Sequence, residues 1–360
     1  MIKVFESFAG IGTQRMALRN LGIEHEVVGI SEIDKFALKS YMAIHGETKN
    51  FGDITKIKTE ELPNFHLFTY SFPCQDISVA GKQKGLDEES GTRSSLLWEC
   101  ERIIKDKRPK YLLMENVKNL VGKRHKKNFD KWLEILEGYG YTNYWQVLNA
   151  KDYGVPQNRE RVFCISILEE HKPYNFPKPF ELEIRLKDIL EDEVDEKYYL
   201  SKDISENYIM PETSYCIDAN YHKGTNLKEY TQKKKRQIIA IGKIPIKNAT
   251  KKGYIEATDG DGIDLAFPDS STRRGRVQNG MSQTLDTGDS KGVIDQFRIR
   301  KLTPLECWRL MGIPDEDFYK AQKVNSNSQL YKQAGNAIVV DVLEGIFKHL
   351  FNPDENNLEG

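Results

Sequence analysis

Ile2-Lys3-Val4-Phe5-Glu6-Ser7-Phe8-Ala9-Gly10-Ile11-Gly12, a helical pattern over residues 14–21 that stops at Gly22, and a second apolar run over 26–30 decide how this chain folds. A short apolar run bounded by turn residues reads as a buried strand. Glycine just past the last periodic residue marks a helix end, because it enters the left-handed conformation without a Cβ clash. Strand, helix and strand in succession form a βαβ unit, and the rhythm continues. Further strands are expected at 67–72, 111–114, 145–148 and 162–167, all parallel. Helices are expected at 34–45, opening on Asp34 as N-cap, at 94–107 and at 129–137. This alternation implies an α/β fold with a doubly wound, Rossmann-like sheet, in which function lies at the carboxyl ends of the strands.

After about Leu168 the rhythm breaks. Pro173, Pro177 and Pro179 mark a linker, and residues 181–295 are irregular and rich in Lys, Asn, Thr and Gly. Periodicity returns at 303–311 and in a terminal helix at 339–350. The expected division is a larger domain from residues 1–180 and 330–360, and a smaller domain with hinge from 181–329.

Composition sets limits. With 39% hydrophobic and 30% charged residues and no apolar run long enough for a bilayer, the chain reads as a cytoplasmic protein, and no export signal precedes the first strand. Cys74, Cys100, Cys164, Cys216 and Cys307 are odd in number and widely spaced, which fits a reducing compartment. The histidines are equally scattered, so no metal is expected. A net charge of −1 gives no support for a nucleic-acid partner by itself. By segment, residues 181–200 carry 3 basic and 8 acidic side chains, whereas 201–300 carry 17 and 13. That surplus gathers in Lys233-Lys234-Lys235-Arg236 and Arg273-Arg274-Gly275-Arg276; such runs are often only solvated faces.

The strand ends carry the chemistry. Gly10 and Gly12 after the first strand permit a tight turn and close backbone approach to a ligand, although two glycines alone also serve helix–strand packing. Glu32 follows the second strand, where nucleotide folds place a carboxylate on ribose hydroxyls. Asp53 is read as a third strand-end acid, placed to accept from an adenine amino group. Arg15 occupies the third glycine position of the dinucleotide fingerprint, so the set reads as an adenosine cofactor without a pyrophosphate. Cys74, between Pro73 and Gln75-Asp76, fits an accessible thiolate better than a buried small hydrophobe. Glu115 emerges from a buried strand, the alternative being a cap or surface acid. Arg159 and Arg161 alternate at a strand start and so share a face, the alternative being an ion pair with Glu160.

In order along the chain, residues 8–12, Asp53-Ile54, Phe72-Pro73-Cys74-Gln75 with Ser78 and Gly81-Lys82-Gln83-Lys84-Gly85, Glu115-Asn116-Val117, residues 157–161, Arg300-Lys301-Leu302-Thr303-Pro304 with Glu306-Cys307, and Gln333-Ala334-Gly335-Asn336-Ala337 closely resemble the cytosine-C5 DNA methyltransferases. The resemblance implies S-adenosyl-L-methionine held by Phe8, Gly10, Ile11, Gly12, Glu32, Ile33, Asp53, Ile54, Pro73, Asn336 and Ile338. It implies double-stranded DNA as partner, contacted by Ser78, Lys82 and Gln83. Residues 181–295 become the target-recognition region, with Arg273, Arg274, Arg276, Thr284 and Leu285 at the groove. Catalysis is implied to run through a flipped-out cytosine: Cys74 adds to C6, Glu115 protonates or hydrogen-bonds N3, and Arg161 holds O2. A monomer is expected, with a separately encoded restriction endonuclease as a possible partner.

Some positions depart from the family pattern: Glu6-Ser7 for Asp-Leu, Thr13 for Gly, Ser71 for Gly, and Ile33 where many members place Trp. None removes a reacting group. Two other readings compete. One is C5 methylation of RNA, whose enzymes carry a Cys-Phe-Thr tripeptide absent here. The other is a non-catalytic binding module, against which the intact Cys74, Glu115 and Arg161 set argues.

Overall fold

Six apolar runs line up in one sheet. In this computed structural model, which describes residues 1–73, 96–198, 244–267, 270, 272–287, 290–295 and 298–351, the strands are β1 (Ile2–Ser7), β2 (His25–Ser31), β3 (Leu67–Tyr70), β4 (Tyr111–Val117), β5 (Tyr141–Asn149) and β7 (Glu160–Leu168), with a two-residue β6 (Gln157–Asn158) between the last two. They lie in the order β2-β1-β3-β4-β7-β5. Every residue of β3 is buried, as are the five central residues of β4, which is why these strands read as unbroken apolar runs.

The expectation of an all-parallel sheet is corrected at one strand. β1, β2, β3 and β4 pair in parallel, whereas β7 runs antiparallel to both β4 and β5. The cause is chain length: a parallel crossover needs about a dozen residues or more, usually with a helix, and the link from Asn149 to Glu160 is too short for one. The reversal places the start of β7 at the same edge as the carboxyl ends of β1, β3 and β4.

Helices α1 (Thr13–Asn20), α2 (Lys35–His45), α3 (Leu97–Lys107) and α4 (Lys126–Gly138) connect the strands. Asp34 caps α2 as expected, its carboxylate accepting from the backbone N–H of Phe36 at 2.9 Å and Ala37 at 3.3 Å. On one side of the sheet an aromatic core joins Phe5, Phe65, Phe68, Tyr70 and Trp132; the Phe68 and Tyr70 rings stack with centroids 5.1 Å apart. Asp53 is not at a strand end. It precedes the short 3-10 turn Ile54–Lys56 and caps it, accepting from the Thr55 backbone at 3.1 Å and hydroxyl at 2.9 Å.

The chain forms two compact units, Met1–Ile184 with Asp286–Gly288 and Cys307–Gly360, and Arg185–Leu285 with Asp289–Glu306. The sequence reading put the return to the larger unit at 330; it comes at Cys307. Helices α5 (Pro304–Arg309), α6 (Asp315–Gln322), α7 (Asn327–Asn336) and α8 (Val340–Phe351) follow one another closely. Two contacts bind α6 and α7 into the larger unit: Arg19 pairs with Asp317 at 2.6 Å, and the Trp308 indole donates to the Leu330 carbonyl at 3.0 Å. Helical periodicity alone could not assign these short segments to a unit.

The smaller unit is built from strands. β8 (Ile244–Lys247) and β9 (Tyr254–Ala257) form a hairpin, and β11 (Val277–Gln278), β10 (Gly262–Asp264), β13 (Lys291–Asp295) and β14 (Arg298–Lys301) form an antiparallel sheet in that order, with β12 (Ser282–Gln283) nearby in sequence. Its core is small: Ile246, Ala257, Ile263, Val277 and Ile294. Gly262 is required in β10, because a Cβ there would lie 2.1 Å from the Met281 carbonyl oxygen.

Candidate active site

Glu115 stands third from the end of β4, and only 8% of it is exposed. Across the β4–β7 ladder Val117 pairs with Arg161 and Glu115 with Phe163, so Glu115 and Arg161 are diagonal neighbours on one face. The Arg161 guanidinium comes within 3.2 Å of the Glu115 carboxylate. Burial pushes the Glu115 carboxyl above its ordinary range, while Arg161, Arg159 and a hydrogen bond with the Ser71 side chain pull it back down. Had β7 run parallel, Arg161 would stand at the far edge of the sheet.

Neighbouring residues hold this edge in shape. The Asn116 amide donates to the Phe72 carbonyl at 3.0 Å and fixes the segment that leads through Pro73 to Cys74. Cys74 itself, with Ser78, Lys82 and Gln83, lies outside the described residues. Arg159, 4% exposed, donates to the carbonyls of Gly335 at 3.0 Å and Ala337 at 2.8 Å. It therefore clamps the turn carrying Asn336, which is exposed, and Ile338, which is buried. Gly335 is needed there, since a Cβ would meet the Asp286 carbonyl oxygen at 2.2 Å. The sequence treated Arg159 and Arg161 as a pair; the structure gives them different partners.

The carboxyl end of β1 opens into a strained turn. Phe8 has φ 55°, an uncommon conformation for a residue with a side chain, and Gly10 and Gly12 have φ 58° and 76°. A Cβ on Gly12 would lie 2.6 Å from both the Tyr41 ring and His45 Nε2. His45 Nε2 also lies 3.1 Å from the Ile11 carbonyl, and the Tyr41 hydroxyl donates at 2.6 Å to Glu6, a fully buried carboxyl that burial raises to about 7. This Tyr41–His45 shelf escaped the sequence reading, because nothing in local spacing connects α2 to the turn above it.

Glu32 accepts from three backbone N–H groups, Gly10 at 2.8 Å, Ile33 at 2.8 Å and Asp34 at 2.7 Å, so its carboxylate is locked against the β1 turn. Beside it Ile33 is 76% exposed, an aliphatic surface open to a ligand. The space around Gly10 is open, with no atom within 4 Å of a Cβ built there. An oriented carboxylate, an open glycine turn and an uncovered aliphatic face fit an adenosine. Asp53 keeps an available carboxylate, held below its usual range by the Thr55 hydrogen bonds, and Ile54 is buried beneath it.

The family model for C-5 cytosine-specific DNA methylases matches residues 2–352. This chain belongs to that family. A type II methyltransferase of Lactococcus lactis, M2.ScrFI, is 44% identical over 98% of this chain and 99% of its own length. The orphan methyltransferase M.SPRI of Bacillus phage SPR is 35% identical over 98% of both. Among solved structures, a methyltransferase of Entamoeba histolytica superposes with a TM-score of 0.67 at 17% identity, covering 98% of each chain. The Dnmt2 methyltransferase of S. pombe gives 0.61 at 20% identity, over 98% of this chain and 99% of that one. These structures confirm the α/β methyltransferase fold.

In this methylase the residues read as groove contacts part company. Arg276 is 2% exposed, and its guanidinium donates to the carbonyls of Asp264 at 3.0 Å and Lys247 at 3.0 Å. Leu285 is 4% exposed. Both side chains are buried here, and the Arg276 guanidinium ties β10 to β8 within the smaller unit. Arg273 pairs with Asp264 at 3.3 Å and lies over the Phe267 ring at 4.5 Å. Thr284 is half-buried, and Arg274 is exposed beside Gly275, whose φ is +68°.

Proposed function

We propose that this methylase transfers a methyl group to C5 of cytosine within a specific sequence of duplex DNA, with S-adenosyl-L-methionine as donor and a covalent bond between Cys74 and C6 of a flipped-out base. One observation carries the reading: a buried carboxyl with a raised pKa, Glu115, set against Arg161 at the strand edge from which the Cys74 segment departs. Such a carboxyl is suited to donate a proton to a ring nitrogen, and perturbed acids gather at functional sites.

The protein's own groups divide the work. The Cys74 thiolate adds to C6, while Glu115 gives a proton to N3, so that the adduct is a neutral enamine rather than an anion. Arg161, paired with Glu115 at the same strand edge, holds O2. The electron-rich C5 then takes the methyl group; the C5 proton is lost to solvent as its electron pair expels the Cys74 thiolate, N3 returns its proton to Glu115, and the aromatic ring is restored. S-adenosyl-L-methionine supplies the electrophilic methyl when bound. Its adenosine is assigned to the turn of Phe8, Gly10, Ile11 and Gly12, with Glu32 on the ribose hydroxyls, Ile33 against the adenine face, Asp53 and Ile54 at the adenine edge, and Pro73, Asn336 and Ile338 around the remainder. The relatives' names, type II and orphan methyltransferases, support a restriction–modification or stand-alone role; a cytoplasmic monomer, with any endonuclease encoded separately, completes the proposal.

Covalent trapping on duplexes containing 5-fluorocytosine tests the reaction. A fluorine at C5 cannot leave as a proton does, so the Cys74 adduct should accumulate on DNA. Trapping on RNA alone would favour the RNA-directed reading, and no adduct on either would remove the covalent step.

The cofactor assignment has its own test. Hydrogen bonds to a charged group are worth about 1.5–3 kcal/mol, so Glu32→Ala should weaken S-adenosylhomocysteine binding by roughly tenfold to a hundredfold in calorimetry. Unchanged affinity would remove Glu32 from the site.

For the recognition unit, Arg274→Ala should relax the choice at one base at a cost of about 1–3 kcal/mol. Arg276→Ala should instead lower the melting temperature, since it orphans the Asp264 and Lys247 carbonyls. A bisulfite map of both variants separates the two effects; an unchanged map for Arg274→Ala would move base reading elsewhere in the unit.

A further inference from the structure

The most one-sided charge in the larger unit lies outside every motif discussed above. From residue 118 to residue 131 the chain carries six basic side chains and one acidic one, in a protein of net charge −1. This run leaves the carboxyl edge immediately after β4: Val117, opposite Arg161 in the ladder, is followed by the short 3-10 turn Lys118–Val121 and then by α4. The basic loop thus starts just beyond the proposed proton donor.

Its backbone is pinned. Leu120 is 1% and His125 2% exposed, and the backbone N–H groups of His125 and Lys126 both donate to the Gly122 carbonyl, at 3.0 and 2.9 Å. Lys118 is engaged with Glu160 at 2.8 Å, and Lys126 with Asp130. Lys123, Arg124 and Lys127 are exposed, and neither Lys123 nor Lys127 has a hydrogen-bonding or ionic partner among the described residues. Lys123 and Lys127 thus stand beside Arg124 on an anchored turn, where like charges repel one another unless an anion is bound.

We propose that this loop is a phosphate-contacting rim, with Lys123, Arg124 and Lys127 gripping the backbone of duplex DNA beside the nucleotide that Glu115 receives. The inference rests on the duplex-DNA reading of the site. Held cations of this kind position a duplex without reading its sequence, and each one that displaces a counterion steepens the salt dependence of binding.

The test is the combined variant Lys123→Gln, Arg124→Gln, Lys127→Gln, titrated with one duplex over a series of salt concentrations. Thermal melting and S-adenosylhomocysteine affinity serve as controls for folding. The slope of log K against log salt should become shallower by about 0.9 for each phosphate that the variant no longer neutralises. The bisulfite map should keep the same methylated site. A wild-type slope in the variant overturns the rim while leaving the DNA reading intact, and so does a shifted site, because phosphate contacts carry no sequence information. A wild-type protein that does not bind duplex DNA would overturn the rim and the DNA reading together.

Discussion

Cys74→Ala will abolish methyl transfer and 5-fluorocytosine adduct formation while S-adenosylhomocysteine still binds. The mechanism has one nucleophile, and without it the cytosine ring has no route to an electron-rich C5. The described cysteines offer no substitute. Cys100, Cys164 and Cys307 are all buried; burial raises the thiol of Cys100 well above its usual value and that of Cys164 to about 12. Cys164→Ala should therefore stay active, as should Cys216→Ala. The assignment of Cys74 rests on its chain position: Phe72, two residues earlier, is buried with its carbonyl tied to Asn116 at the edge where Glu115 stands. Near wild-type turnover in Cys74→Ala would sink the covalent mechanism. Abolished cofactor binding would instead make the residue a support for the cofactor turn.

Much of this was legible in sequence because buried strands and helix caps leave local marks. The Asp34 cap is one such mark, and the spacing from the Gly10–Gly12 turn to Glu32 is another; both lie where expected. The direction of β7 was not legible from its residues, since a buried apolar run reads alike in either direction. Only the short link to β5 carried that information, and on it depends the meeting of Arg161 with Glu115. Nor could the run Arg273-Arg274-Gly275-Arg276 declare which arginine turns inward. Burial decides that: Arg276 is consumed by two backbone carbonyls, whereas Arg274 stays exposed. Ser71 looked like a neutral departure from the family pattern, yet its side chain hydrogen-bonds Glu115. Such interactions belong to the fold rather than to spacing.

Glu115→Gln will cut turnover by roughly 10²–10⁴-fold, the usual worth of general acid assistance, with duplex affinity largely kept. Glutamine retains the shape and an acceptor for Arg161 but has no proton to give to N3. Direction of pH dependence follows from the same residue. Burial raises the Glu115 carboxyl, and Arg161, Arg159 and Ser71 lower it. The active form is the protonated one, so the rate of the chemical step should fall as pH rises through this pKa. Ser71→Ala removes one lowering influence; the pKa rises, and the falling limb moves to higher pH. In Glu115→Gln the limb should vanish along with most of the rate. Single-turnover rates over a pH series, with binding measured separately, decide the matter. A loss confined to affinity, or a limb that ignores both substitutions, would mean that Glu115 serves only as the buried partner of Arg161, leaving proton donation at N3 to another group.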